Sequence, residues 1–152
     1  IYLKEENMYY IENNDPRIDV NKIEQSLDSI LGYFNERRDF SLHFVSDDEI
    51  RDLNNEYRGI DSPTDILTFA LNDGEVFPHP EGQDEELGDI FISVDSMKRN
   101  ASDFSVDENE ELSRLLVHGI LHLRGMDHKT NDFSSEPMLI EQEKILKDLF
   151  LA

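Results

Sequence analysis

Residues 108–128 read ENEELSRLLVHGILHLRGMDH, and the rest of the fold has to be arranged around this stretch. Ser105 or Asp107 is placed to cap a helix here, with Glu108, Glu110 and Glu111 near its positive end. Leu112, Leu115, Leu116, Gly119, Ile120 and Leu123 recur at helical spacing, and Val117 and Leu121 widen the stripe. A helix so apolar, ending near Leu123, belongs at the centre of a core. His118 and His122 therefore project from a core element. Four residues apart, they share one helix face, about 6 Å apart along the axis. Gly125 can end the helix in a left-handed conformation, so the chain can turn back and carry His128 toward the other two. Three of the five histidines thus converge. Three neutral imidazoles can hold a divalent transition metal and leave a coordination position open for chemistry.

Outward from that helix, the patterning alternates between strand and helix. Met8–Glu12 is predicted as a short strand, and Asp15-Pro16 as a turn into a helix over 18–34. Ile23, Leu27, Ile30, Leu31 and Phe34 mark that helix's buried face. Phe40–Val45 alternates as a strand should. Ser46 and Glu49 form a capping box for a helix over 47–57. Residues 58–64 are a loop by composition, and Asp65–Ala70 a strand. Asn72–Glu86 is read as an exposed acidic loop, and Leu87–Val94 as a strand with Gly88 at a bulge or a close backbone approach. A short helix follows over 95–103. Ser134 or Ser135 is expected to open the last helix, with Ile140, Ile145, Leu146, Leu149 and Phe150 on its apolar face. Helices and strands interleave without strict βαβ alternation. The expected class is α+β: one domain over 1–152, with a small mixed sheet of about four strands packed with about five helices.

The chain has 152 residues, enough for one real core, and no cysteine, so neither disulfides nor a thiolate metal site is available. That composition fits a reducing cytoplasm. No apolar run reaches the length of a membrane span, and no signal-peptide pattern opens the sequence. The net charge of −21 disfavours casual binding to nucleic acid or to an anionic membrane, so neither DNA nor a membrane is expected as a partner. Any RNA-directed function must offset that field locally. Arg58, Lys98, Arg99, Arg114, Arg124 and Lys129 are the residues available for a basic rim.

The histidine spacing equals that of the metzincin zinc proteases, H-E-x-x-H-x-x-G-x-x-H, which makes the helix ending near Leu123 a metzincin-like metal helix. Gly119 stands where those proteases carry their general-base Glu, so the metal cage is kept and the proteolytic base is not. Asp127 either orients a ligand imidazole from behind or caps local amides. His43, on a strand, and His79, in the acidic loop, read as ordinary residues rather than ligands.

Three ordered segments resemble the YbeY family of bacterial metal-dependent endoribonucleases. Residues 118–128 match its H-G-x-L-H-L-x-G-x-D-H signature throughout. Tyr57–Phe69, YRGIDSPTDILTF, resembles the family's Y-R-G-x-D-x-P-T segment, and Leu87–Ser93, LGDIFIS, resembles its L-G-D-I-x-I-S strand. The resemblance covers most of the chain from Ser46 onward. It implies one α+β domain, a single zinc-type site at His118, His122 and His128, and Arg58 as the functional arginine near the metal. It also implies maturation of the 3′ end of small-subunit (16S) ribosomal RNA and a part in ribosome quality control. The partners it implies are ribosomal RNA, a small-subunit ribosomal protein and a ribosome-associated GTPase.

Arg58 would then clamp a phosphate by bidentate hydrogen bonds, which Lys cannot copy; its plainer reading is a helix-end arginine facing solvent. Thr64 or Asp65 is expected to line the same cleft, unless Thr64 is simply a turn hydroxyl. A metal-acidified water, a phosphate oxygen or the ribose 2′-hydroxyl could each serve where the Glu is missing. Two rival readings are a metal-dependent hydrolase of peptides or small molecules, and a non-catalytic ribosome assembly factor with a structural metal.

Overall fold

A computed structural model describes residues 9–71 and 86–151. In chain order its elements are β1 (Tyr9–Glu12), α1 (Val20–Phe34), β2 (Phe40–Val45), α2 (Asp47–Arg58), β3 (Ile66–Ala70), β4 (Gly88–Ser93), α3 (Val94–Asp103), α4 (Glu108–Leu123) and α5 (Pro137–Phe150). The described residues thus carry the four strands and five helices expected for an α+β fold. Met8, His79 and all but the last residue of the acidic loop, 72–85, lie outside them.

The sheet has the order β1-β2-β4-β3. β1 and β4 both run parallel to β2, whereas β3 pairs antiparallel to β4 and forms one edge. Phe40, Leu42 and Phe44 of β2 and Ile90 and Ile92 of β4 share one buried face. They belong to a single apolar core with Leu27 and Ile30 of α1 and Leu116 and Ile120 of α4. Alternation along β2 is what makes this possible, since successive side chains leave opposite faces of a strand.

Local signals set several boundaries. Ser46 accepts from the Glu49 amide and the Glu49 carboxylate returns to the Ser46 amide, completing the expected capping box. Asp19, not Ile18, opens α1, because its carboxylate accepts from the amides of Asn21 and Lys22. Asp107 rather than Ser105 caps α4, accepting from Asn109 N–H at 2.7 Å. Gly88 makes the close approach expected of it: φ is +137° and a Cβ there would lie 2.0 Å from the Phe69 carbonyl oxygen.

The start of α5 differs from expectation. Ser134 and Ser135 are held by Asp132, and the helix begins at Pro137 after Glu136, three and two residues further on. Proline at the first helical position needs no amide partner, which fixes the start there. The later start also shows which face is buried: Met138, Leu139, Gln142, Ile145 and Leu146. Ile140 falls off that face and is 48% exposed.

Candidate metal centre

The buried helix α4 leaves one stripe open. Val117, Gly119, Ile120 and Leu121 are buried, while Arg114, His118 and His122, spaced four residues apart, are only partly covered. They form part of the floor of a cleft of ≈ 1080 Å³. β3 contributes one wall through Ile66 and Thr68, and the segment after α4 contributes another through Asp127 and His128.

A Schellman turn closes α4. Gly125 takes φ +100°, its amide donates to the His122 carbonyl at 2.9 Å, and the Met126 amide donates to the Leu121 carbonyl at 3.0 Å. That reversal brings His128 back over the helix. The ring centroids lie 4.5 Å apart for His118 and His122, 5.3 Å for His118 and His128, and 5.4 Å for His122 and His128. One ligand nitrogen from each ring falls within 4.8 Å of the others, so the triad could hold a metal ion.

Each imidazole is also held from behind by an oxygen acceptor. His118 Nδ1 lies 2.5 Å from Gln142 Oε1, His122 Nδ1 lies 3.0 Å from the Met126 carbonyl, and His128 Nδ1 lies 2.7 Å from the Thr130 carbonyl. An oxygen acceptor requires the hydrogen on Nδ1, which leaves the lone pair of each ring, in its metal-binding neutral form, on Nε2. Burial lowers the pKa of His118, and burial together with the neighbouring His118 ring lowers that of His122 to about 4. Both rings are therefore neutral at pH 7, the form that binds metal. Three imidazole nitrogens suit a borderline divalent transition metal such as zinc. The residues fit such a group.

The other residues anticipated near the site are distributed unevenly. Arg58, the last residue of α2, lines the cleft and donates from Nη2 to the Thr68 carbonyl at 3.2 Å. No described carboxylate pairs with it. Thr64 and Asp65 also line the cleft. Asp65 accepts from Asn100 Nδ2 at 2.8 Å, and Thr64 Oγ1 sits 3.4 Å from the Asp65 carboxylate. Asp127 caps the His128 amide at 2.8 Å and stands 3.9 Å from His122 Nδ1, a nitrogen already bonded to Met126. Its geometry favours amide capping over orienting a ring.

Of the anticipated basic rim, Arg58, Arg114 and Arg124 border the cleft, whereas Lys98 pairs with Glu108 and Arg99 with Asp47. Arg114 is matched by Glu110, Glu111 and Glu143. His43 lies on β2, stacked on Phe91 with centroids 4.5 Å apart, away from the triad.

Sequence reasoning missed Gln142, Glu111 and Asn100. Gln142 had a legible signal: it is a polar residue on the apolar stripe of α5. Glu111 lies on the cleft face of α4, where burial raises its carboxyl pKa against the opposing pull of Arg114. Asn100 reaches the cleft only because α3 packs on α4.

The family model for endoribonuclease YbeY matches residues 9–150. The chain belongs to the YbeY endoribonuclease family. A relative from Treponema denticola named endoribonuclease YbeY is 44% identical over 138 residues, covering 89% of this chain and 88% of that protein. Another from Desulforamulus reducens, with the same name, is 46% identical over 108 residues, covering 71% and 70%. The solution structure of TM1509 from Thermotoga maritima is similar to this fold with a TM-score of 0.64 at 29% identity, covering 93% of this chain and 89% of that one. Packing gives a physical reason for the departure from the protease pattern at Gly119. A Cβ there would meet Ile90 Cδ1 at 2.9 Å and Ile66 Cδ1 at 3.2 Å, so position 119 faces the sheet.

Proposed function

We propose that this protein is a metal-dependent endoribonuclease that cuts single-stranded RNA, acting in 16S ribosomal RNA 3′-end maturation and ribosome quality control in the cytoplasm. The reading rests on one observation above the rest. Three imidazoles, each offering a ligand nitrogen within 4.8 Å of the others, share a cleft with an arginine that no described carboxylate neutralises. Family membership supplies the RNA, since the relatives carry the name endoribonuclease. A small-subunit ribosomal protein and a ribosome-associated GTPase are the partners that would present the substrate to so acidic a chain. Among the described residues, no helix is long and apolar enough to cross a membrane.

His118, His122 and His128 would hold the metal, and Gln142 and the Met126 and Thr130 carbonyls would fix their tautomers. A divalent metal, when bound, supplies Lewis acidity toward a phosphoryl oxygen and acidifies a water. Arg58 spends one nitrogen on the Thr68 carbonyl and keeps donors free for a phosphate, so it would orient the scissile group and balance charge developing on it.

Cleavage of labelled single-stranded RNA by protein of verified metal content tests this, with duplex RNA, single-stranded DNA and a peptide library alongside. His122→Ala is expected to lose both metal, by elemental analysis, and cleavage. Arg58→Ala is expected to keep its metal and lose on the order of 1.5–3 kcal/mol of transition-state stabilisation, a drop of roughly ten- to hundredfold. Full cleavage by Arg58→Ala would remove the clamp. Normal ribosomal RNA maturation in cells carrying only that variant would favour a non-catalytic assembly role.

A further inference from the structure

We propose that Phe104 and Phe133 are the base-stacking platform of this cleft, and that they make it selective for unpaired RNA; the inference rests on the RNA-cleaving function proposed above. Both rings border the cleft that holds the three histidines and Arg58. Phe104 is 65% exposed and Phe133 is 48% exposed. Neither belongs to the apolar core, and neither forms an aromatic pair with another described ring.

They reach the cleft from two unrelated segments. Phe104 is the C-cap of α3, where its amide donates to the Asn100 carbonyl at 2.9 Å. Phe133 lies between α4 and α5, in a segment held by Asp132 and by Thr130 bonded to Glu136. Local hydrogen bonds therefore hold both backbones in place while leaving the ring faces open. A lone exposed apolar residue calls for no explanation, but two uncommitted phenyl rings in one cleft beside a metal-type site do.

The rings and Arg58 together indicate the occupant. Arg58 has no described acidic partner, and it shares with the two rings a cleft whose lining also includes Asp65, Glu111 and Asp127. Arg58 thus offers a cation for a phosphate beside the rings, within a chain of net charge −21. Cations that follow a phosphate backbone, combined with aromatic faces that accept bases of any sequence, are the recognition chemistry of single-stranded nucleic acid. In a duplex the base faces are covered by their neighbours, so a duplex could use the cations and not the rings. Single-strand selectivity would then follow from two side chains that do no chemistry.

The test is fluorescence anisotropy of zinc-loaded protein with a labelled 2′-O-methyl oligoribonucleotide, which resists cleavage, and with an abasic strand of equal length. Phe104→Ala and Phe133→Ala are each expected to weaken binding of the base-bearing strand by roughly fivefold or more, with little change for the abasic strand. Phe104→Trp and Phe133→Trp should retain tight binding. Melting curves verify that each variant is folded, as their exposure predicts. In turnover of cleavable RNA, KM should rise more than kcat falls.

Equal losses on both strands, no loss on either, or weak binding by the Trp variants would overturn the proposal. Loss of binding to an apolar peptide with RNA binding intact would assign the rings to a protein partner, and would overturn it too. Failure of the unsubstituted protein to bind either strand would instead remove the RNA reading itself, and is seen before any variant is measured.

Discussion

Gln142 illustrates how much one side chain can set. It is 2% exposed, accepts from His118 Nδ1 and donates from Nε2 to Glu143 at 3.0 Å. The acceptors behind His122 and His128 are backbone carbonyls that no substitution removes, so among the described residues Gln142 is the Nδ1 acceptor of the triad open to mutation. Gln142→Leu is expected to lower metal affinity about 10- to 100-fold, read by competition with a chromophoric chelator. Gln142→Glu, which keeps the acceptor, should retain most of it. An unchanged affinity in the Leu variant would show that packing alone orients His118. Asp127→Ala should cost much less, because this side chain is 87% exposed and His122 already has its bond to Met126. Of the two readings at position 127, amide capping is the one the geometry favours.

Helix α4 shows why a motif cannot be read apart from the surface it packs on. Restoring the protease pattern by Gly119→Glu would place a carboxylate between Ile90 and Ile66, with no cation to meet it. The expected result is a destabilised protein, by on the order of 3–5 kcal/mol in urea unfolding, and no gain of peptidase activity. A stable variant that cleaves peptides would overturn this account of position 119. The features legible beforehand share a physical origin with that helix: they are local. The stripe of α4, the alternation of Phe40–Val45, the Ser46 box and the Gly125 turn all depend on contacts within a few residues, which spacing encodes directly. The start of α5 is not legible in this way, because serines followed by an apolar run mimic a cap, although Asp132 claims both hydroxyls. The edge position of β3, the reach of Asn100 and the pairing of Gln142 with His118 depend on elements distant in sequence. No single window of residues contains them.

Ion pairs join these elements across the fold, and they must do so in a molecule of net charge −21. Asp47 at the start of α2 meets Arg99 at 2.8 Å and accepts from Ser93 and Ser96, tying α2 to α3. Buried Glu36, just beyond α1, binds Arg38 at 2.7 Å and also Arg124, which follows α4 and lies 4.5 Å over the Phe34 ring. Burial alone would raise the Glu36 pKa, but hydrogen bonds from Arg38 and the charges of Arg38 and Arg124 outweigh it and lower the pKa to about 2. In the unfolded chain the same carboxyl titrates near its usual value of about 4.3. The folded form thus holds the proton more weakly. Its contribution is fully present above about pH 4.3 and disappears as the pH falls through about 2. Glu36→Gln should therefore be less stable than the unsubstituted protein at pH 7, by on the order of 3 kcal/mol, since two guanidinium groups lose their shared carboxylate. That difference should hold from pH 7 to about 5 and close progressively below pH 4. All other groups are common to both proteins and cancel in the comparison, so paired urea melts across this range isolate Glu36. A gap that stayed constant down to pH 2 would mean that packing, not charge, fastens the α1 end to α4.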